Sequence, residues 1–296
     1  MGEKDIEEKV LEDYNDVFAD IINVLIFNGE QVVRQEQLEN SKDKSMFKAL
    51  DGRITEQERD VFKWWKKCGI RISLFGLENQ TNPDPDMCFK LYGYDGAAYK
   101  SQYGKKNKYP VISLVLYFDY KRHWVAKKSL CDSLSIPETL KPYVNDYHMN
   151  LYEIAWLSEE QVNMFRSDFK IVAEYFYQMR TNRDYSPSPT VIKHVDAILK
   201  LMSSLTGDSR FEDIINETGK SKKEMITMCE ALDRIEKRGE IRGVKLGNFM
   251  SIIEIVNNYK NKKKLSQKAA CEDLSIDYKE YLAAKRFMKK VNAGIN

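Results

Sequence analysis

No apolar run in the 296-residue sequence approaches the roughly 18 residues that a membrane-spanning helix needs. The acidic start, Gly2-Glu3-Lys4-Asp5-Ile6-Glu7-Glu8, is unlike a signal peptide, which opens on basic and then apolar residues. The five cysteines (Cys68, Cys88, Cys131, Cys229, Cys271) are scattered, odd in number and form no Cys-x-x-Cys pair. That pattern argues against a disulfide framework and against a zinc site. What the chain does contain is enough apolar material for a core: 43 % of residues are hydrophobic and 31 % charged, the balance of a soluble globular protein. The expectation is a cytoplasmic protein with no membrane partner.

The formal net charge of +2 hides an asymmetry. From Lys220 onward, 18 Lys and Arg stand against 10 Asp and Glu, a net of +8, which leaves −6 for residues 1–219. A basic appendage on an acidic body suits a protein that brings phosphates to a carboxylate-held metal, and it equally suits a solvated helical tail.

The central stretch is Ile70-Arg71-Ile72-Ser73-Leu74-Phe75-Gly76-Leu77-Glu78-Asn79-Gln80. As a strand it places Ile70, Ile72, Leu74, Glu78 and Gln80 on one side, so a carboxylate and an amide arrive together at the rim of a core. Upstream, Asp60 opens Val61–Lys67, and Cys68-Gly69 has the character of a hairpin turn that would bring Asp60 near Glu78. A second reading of the same segment starts a helix at Thr55 with Glu58 closing a capping box. Asp60 would then be a surface charge, and Asp51 or an acidic residue further upstream would be the rival ligand.

Around this core the chain alternates. Residues 5–28 have the apolar spacing of one amphipathic helix stopped by Asn28-Gly29, with Asp13, Asp16 and Asp20 along it. Residues 31–33 suggest a short strand. Thr81-Asn82-Pro83-Asp84-Pro85-Asp86 is a loop, because two prolines forbid regular structure. Met87–Tyr103 follows as a helix, then Tyr109–Tyr120 as an apolar, doubly buried strand. Lys121-Arg122-His123-Trp124 gives that strand a cationic end able to touch phosphates; His123 alone is weak as a general base. Residues 126–219 look helical, over 129–134, 137–144, 158–179 and 190–205. Beyond them a polar helix over 222–238 gives way to glycines at 239, 243 and 247, and residues 264–277 with the helix after them suggest a short helix-turn-helix. Its second helix carries Lys285 and Arg286 as candidate phosphate contacts.

Taken together, these segments resemble the recombination-promoting nuclease/putative transposase branch of the PD-(D/E)XK nucleases, over roughly residues 10–215. The likeness rests on Asn15–Asn23 as the opening helix, Gly76-Leu77-Glu78-Asn79-Gln80-Thr81 as the Glu-x-Gln motif, Tyr94–Gln102 as the tyrosine and glutamine helix, Tyr109–Leu116 as the next core strand, and the glycine repeat. The resemblance implies an α/β restriction-endonuclease-like core, a mixed central sheet flanked by helices, in residues 1–215, with an all-helical extension in 216–296. It implies hydrolysis of DNA phosphodiesters with Mg²⁺ or Mn²⁺ held by Asp60 and Glu78, and with Gln80 as third catalytic residue in place of the superfamily's lysine. Supporting roles would fall to Asp16 or Asp20 on the opening helix and to Tyr99 and Gln102 on the later one. Lys121 and Arg122, with Lys285 and Arg286, are the expected DNA contacts, and the C-terminal helices are a candidate surface for homo-oligomers. Two other readings stay open: a nuclease fold that binds DNA or a protein partner through its basic tail without cleaving, and a tail whose purpose is oligomerisation.

Overall fold

The computed structural model describes residues 3–41, 45–48, 54–57, 60–218 and 226–292, which divide into two compact units, Met1–Cys229 and Glu230–Asn296. The sequence-based boundary at residue 215 falls inside a helix of the first unit, Arg210–Thr218.

The first unit is built on a five-stranded mixed sheet. Its strands are β1 (Leu38–Asn40), β4 (Val61–Lys67), β5 (Ile70–Gln80), β6 (Val111–Tyr117) and β7 (Asn150–Glu153), side by side in that order. A separate hairpin pairs β2 (Ser45–Lys48) with β3 (Ile54–Gln57). β1, β4 and β5 run antiparallel, while β5, β6 and β7 run parallel. The β4–β5 turn works because Cys68 and Gly69 both take positive φ, 50° and 75°, the left-handed backbone of a tight hairpin turn. Val61–Lys67 is therefore a strand, and the rival helix starting at Thr55 is excluded, since Thr55 lies in β3; Asp51 and Glu58 lie outside the described residues.

Helices cover both faces. On one side α3 (Met87–Lys100) makes the crossover that parallel pairing of β5 and β6 requires. Its Met87, Cys88, Leu91 and Tyr94 pack with Val115, Tyr117, Trp124 and Met149. The other side carries α1 (Glu3–Glu12), α2 (Asn15–Leu25), α5 (Glu159–Met164), α6 (Phe169–Thr181), α7 (Val195–Thr206) and α8 (Arg210–Thr218), with α2 on α6 and α1 on α7; the short α4 (Leu130–Ser133) packs near α3. The second unit holds α9 (Met228–Lys263, from Glu230), α10 (Gln267–Asp273) and α11 (Tyr278–Asn292), closed around Val256, Ala270, Cys271 and Tyr281. No helix among the described residues is long and apolar enough to cross a membrane.

Several expected elements take a different form, most of them because a specific group captures the backbone. The single helix over 5–28 is two helices. Tyr14 is extended (φ −69°, ψ 128°), and the carbonyl of Asp13 accepts a bond from the buried Lys63 ammonium at 2.7 Å. Residues 31–33 form no strand, because both backbone groups of Val33 bond the Asn23 side chain, at 2.8 and 2.9 Å. The helix over 158–179 breaks at Arg166–Ser167, whose N–H groups donate to Asp20. The one expected from Thr190 starts only at Val195: Ile192 bonds the Ile226 carbonyl, and the N–H groups of Lys193 and His194 go to Asp168. Residues 137–144 hold only one 3-10 turn, Lys141–Tyr143. Residues 126–219 are also not purely helical, since they supply β7. α9, by contrast, runs unbroken through all three glycines.

Candidate active site

β5 ends where α1, the start of β4 and α3 converge. Val61 pairs with Leu77, and continuing that register by one residue sets Asp60 opposite Glu78. Oδ2 of Asp60 accepts the N–H of Asn79 at 2.8 Å, which fixes the carboxylate against the strand end. Oδ1 of Asp60 pairs with Lys9 of α1 at 2.6 Å. Side chains two apart on a strand share a face, so Glu78 and Gln80 point together toward the α3 side, in register with Val115 and Tyr117 of β6. Glu78 is 3 % exposed, and its Oε1 bonds the ammonium of Lys90 on α3. Gln80 is half-buried, and among the described residues its amide has no hydrogen-bond partner.

The alternate residue, Asn79, points to the opposite face and donates to Oε2 of Glu12 on α1 at 2.9 Å. Glu12 is 1 % exposed. Burial first, and then repulsion from Glu8 with a further push from Asp60, drives its pKa well above the usual carboxylate range; the Asn79 bond and Lys9 act the other way without prevailing. Burial also works against the charge on Lys90, but the Glu78 carboxylate outweighs it through charge and hydrogen bond, aided by Tyr94 and Asp60, and holds the ammonium above its ordinary pKa. Asp60 is therefore felt on both faces of the strand end, by Glu8, Glu12 and Lys9 of α1 on one and by the Glu78–Lys90 pair on the other.

Asp60, Glu78 and Gln80 are thus brought to one end of the β4–β5 pair. The four supporting residues expected from sequence are not. Asp16 pairs with Lys193 at 2.7 Å and with Nε2 of His194 at 3.0 Å. Asp20 is buried and accepts the N–H groups of Arg166 and Ser167, both at 2.7 Å. Both therefore anchor α2 to the segments around α6 and α7 and do not face Glu78. Tyr99 receives the N–H of Val111 at 3.1 Å, and Gln102 clasps both backbone groups of Tyr109, at 3.1 and 2.9 Å. These two hold α3 to the start of β6, four register positions from Val115, the partner of Glu78. Lys121 and Arg122 are exposed just beyond β6, with Arg122 3.5 Å from Asn82, on the edge that Gln80 occupies. His123 beside them stacks on Trp156 and lies 3.2 Å from Glu153. Lys285 and Arg286 are exposed on α11 in the second unit.

Sequence reasoning missed Glu8, Glu12 and Lys90. Glu8 and Glu12 stand four apart, hence on one helix face, but reading α1 and α2 as one helix directed attention to the aspartates of the second. Lys90 gave no local signal: a lysine in the first turn of a helix is ordinary, and only the crossover after the Asp-Pro loop brings it back over β5.

No curated protein and no solved structure matches the chain. Residues 74–205 match the family described as putative transposase, YhgA-like, a span that runs from β5 to α7 and contains Glu78, Gln80 and Lys90 while leaving α1 and Asp60 outside it. The mixed sheet flanked by helices is that of a PD-(D/E)XK-like core, and over the matched span the chain is similar to the YhgA-like putative transposases, the group its motifs resemble.

Proposed function

We propose that this protein is a Mg²⁺- or Mn²⁺-dependent DNA endonuclease. The observation that carries the reading is the convergence of Asp60, Glu78, Gln80 and Lys90 at one strand end. The donor set suits a hard cation. Asp60 and Glu78 offer carboxylate oxygens and Gln80 an amide oxygen, and Mg²⁺ characteristically takes one or two carboxylates while keeping several waters. A closed cage of three acidic, His or Cys side chains, absent among the described residues, is not required.

Asp60 and Glu78 would hold the cation, which when bound supplies Lewis-acid stabilisation of charge on the phosphate and acidifies its water. The chain's own groups set the geometry. The Asn79 N–H and Lys9 fix Asp60, so its carboxylate does not have to be ordered during the reaction. Gln80 can accept and donate at once, which orients a water but cannot take its proton. Lys90 restores the positive charge that Gln80 lacks and faces the developing negative charge of the phosphate.

The test is supercoiled plasmid incubated with protein and Mg²⁺, alongside EDTA and Glu78→Ala. Nicking or linearisation abolished in both controls is the expected result; an intact plasmid with wild-type protein overturns the reading. The ion pair between Lys90 and Glu78 gives weight to one alternative, a non-cleaving DNA-binding protein whose ammonium permanently occupies the cation's place. A gel shift without cleavage would select it.

A further inference from the structure

α3 buries one face in the core and turns the other outward, and the outward face is aromatic. Phe89, Tyr92, Tyr99 and Tyr103 are 41, 55, 47 and 77 % exposed, although large rings ordinarily favour burial. Their spacing of three, seven and four residues keeps them within one narrow stripe, continued by Tyr103 just past the helix end. Between them stand Gly93 and Gly96, where an added Cβ would meet nothing within 4 Å. The helix thus gives up side chains where no neighbour demands it, and bare backbone lies between the rings.

Two of the rings are held in place. The Tyr99 hydroxyl receives the Val111 N–H at 3.1 Å, and Tyr92 packs edge-on against Tyr147 with centroids 5.6 Å apart. Charge completes the surface. Lys100, Lys105, Lys106 and Lys108 are exposed at the far end, and no Asp or Glu occurs from residue 96 to residue 118. At the near end Phe89 adjoins Lys90, the residue that bonds Glu78.

We infer that this face of α3 is a track for single-stranded nucleic acid, leading an unpaired strand to the carboxylates; the inference rests on the nuclease reading and names its substrate class. Successive bases would stack on the rings and lie against the bare helix at the glycines, while the lysines meet phosphates. Duplex DNA cannot use such a stripe, because its base faces are already stacked on one another and only base edges reach the grooves. A protein partner fits less well, since interface cores are depleted of lysine.

The test is fluorescence anisotropy with a fluorescein-labelled oligo(dT) and a duplex of equal length, in EDTA so that cleavage plays no part. The oligo(dT) is expected to bind more tightly than the duplex. Tyr103→Ala should weaken oligo(dT) binding about tenfold and Tyr103→Phe much less, because the ring does the stacking. Gly96→Ala is expected to raise the melting temperature and yet weaken binding, a combination that a purely structural role would not produce. Equal binding of single strand and duplex overturns the inference, as does an affinity unmoved by Tyr103→Ala while Lys106→Ala reduces it, or capture of neither nucleic acid. A plasmid left intact in the Mg²⁺ assay, with these binding results obtained, would refute hydrolysis alone.

Discussion

Lys90 of α3 and Glu78 of β5 form an ion pair in which the carboxylate is almost wholly removed from solvent. The ammonium neutralises a charge that the fold places in the core, and in doing so it occupies the side of Glu78 that a divalent cation would approach. Removing one partner of such a pair is far more costly than the pair is stabilising, because the other charge stays buried. Lys90→Met is therefore expected to lose about 3 kcal/mol of stability in EDTA and to regain much of it when Mg²⁺ is added, a larger Mg²⁺ effect than in the wild type. Urea unfolding with and without Mg²⁺ measures this. Plasmid cleavage should fall by roughly 10²–10³-fold in the same variant, the scale of losing one stabiliser of transition-state charge, and should be partly retained in Lys90→Arg.

Glu12 gives the site a pH dependence whose sign follows from its raised pKa. The folded protein keeps the proton more tightly than the unfolded chain, so the stability tied to this group is complete below the ordinary carboxyl value, 4.5, and is lost as pH rises toward the folded pKa. Glu12→Gln stays neutral at every pH and can still accept from Asn79 Nδ2. Its unfolding free energy should match the wild type near pH 4 and exceed it progressively toward pH 8. Parallel unfolding curves across that range would show that Glu12 carries no elevated pKa.

How far the fold was legible in the sequence depended on where the backbone bonds went. β4, β5, α3 and β6 were readable, because each satisfies its own backbone and each announces itself by an apolar run or a turn such as Cys68-Gly69. Four of the misread segments share one cause: a side chain from elsewhere in the chain takes the backbone groups that a helix or strand would have used. Asn23 takes Val33, Asp20 takes Arg166 and Ser167, Asp168 takes Lys193 and His194, and Lys63 takes the Asp13 carbonyl. No local pattern encodes these captures. The site divides in the same way. Glu78 and Gln80 were visible as Glu-x-Gln at a strand end, whereas Lys90, Glu8 and Glu12 join only through the crossover after β5 and the break at Tyr14.

Lys63 shows how strongly one such capture holds the fold. Its side chain is fully buried, and its ammonium bonds the carbonyl of Asp13, at 2.7 Å, Oδ1 of Asp13, at 2.9 Å, and Oδ1 of Asn40. Three acceptors satisfy three donors. Asn40→Leu leaves one N–H buried and unpaired and should cost about 1–3 kcal/mol. Lys63→Met removes the charge together with its need for partners, and the Asp13 carboxylate that it leaves is more than half exposed, so it is expected to cost less. Equilibrium denaturation ranks the two; a larger loss in Lys63→Met would mean that the ammonium stabilises the α1–α2 corner beyond satisfying itself.

Asp16 and Asp20 separate anchoring from chemistry. Asp20 receives two backbone N–H groups at 2.7 Å, short bonds of the charge-assisted kind. Asp20→Ala strands both donors in the interior and should destabilise the first unit by about 2–4 kcal/mol. For Asp16, burial works against the charge, but Lys193 and His194 prevail and lower its pKa, so its contribution is present above the ordinary value of 3.8 and fades as pH falls through the depressed pKa. The side chain keeps a fifth of its exposure, so Asp16→Asn should cost well under the Asp20 change at pH 7. Neither residue reaches Asp60 or Glu78, so plasmid cleavage per folded molecule should stay at the wild-type level in both variants, with the folded fraction measured at the assay temperature by circular dichroism. If cleavage collapses while the protein remains folded, the acidic residues of α2 act on the substrate.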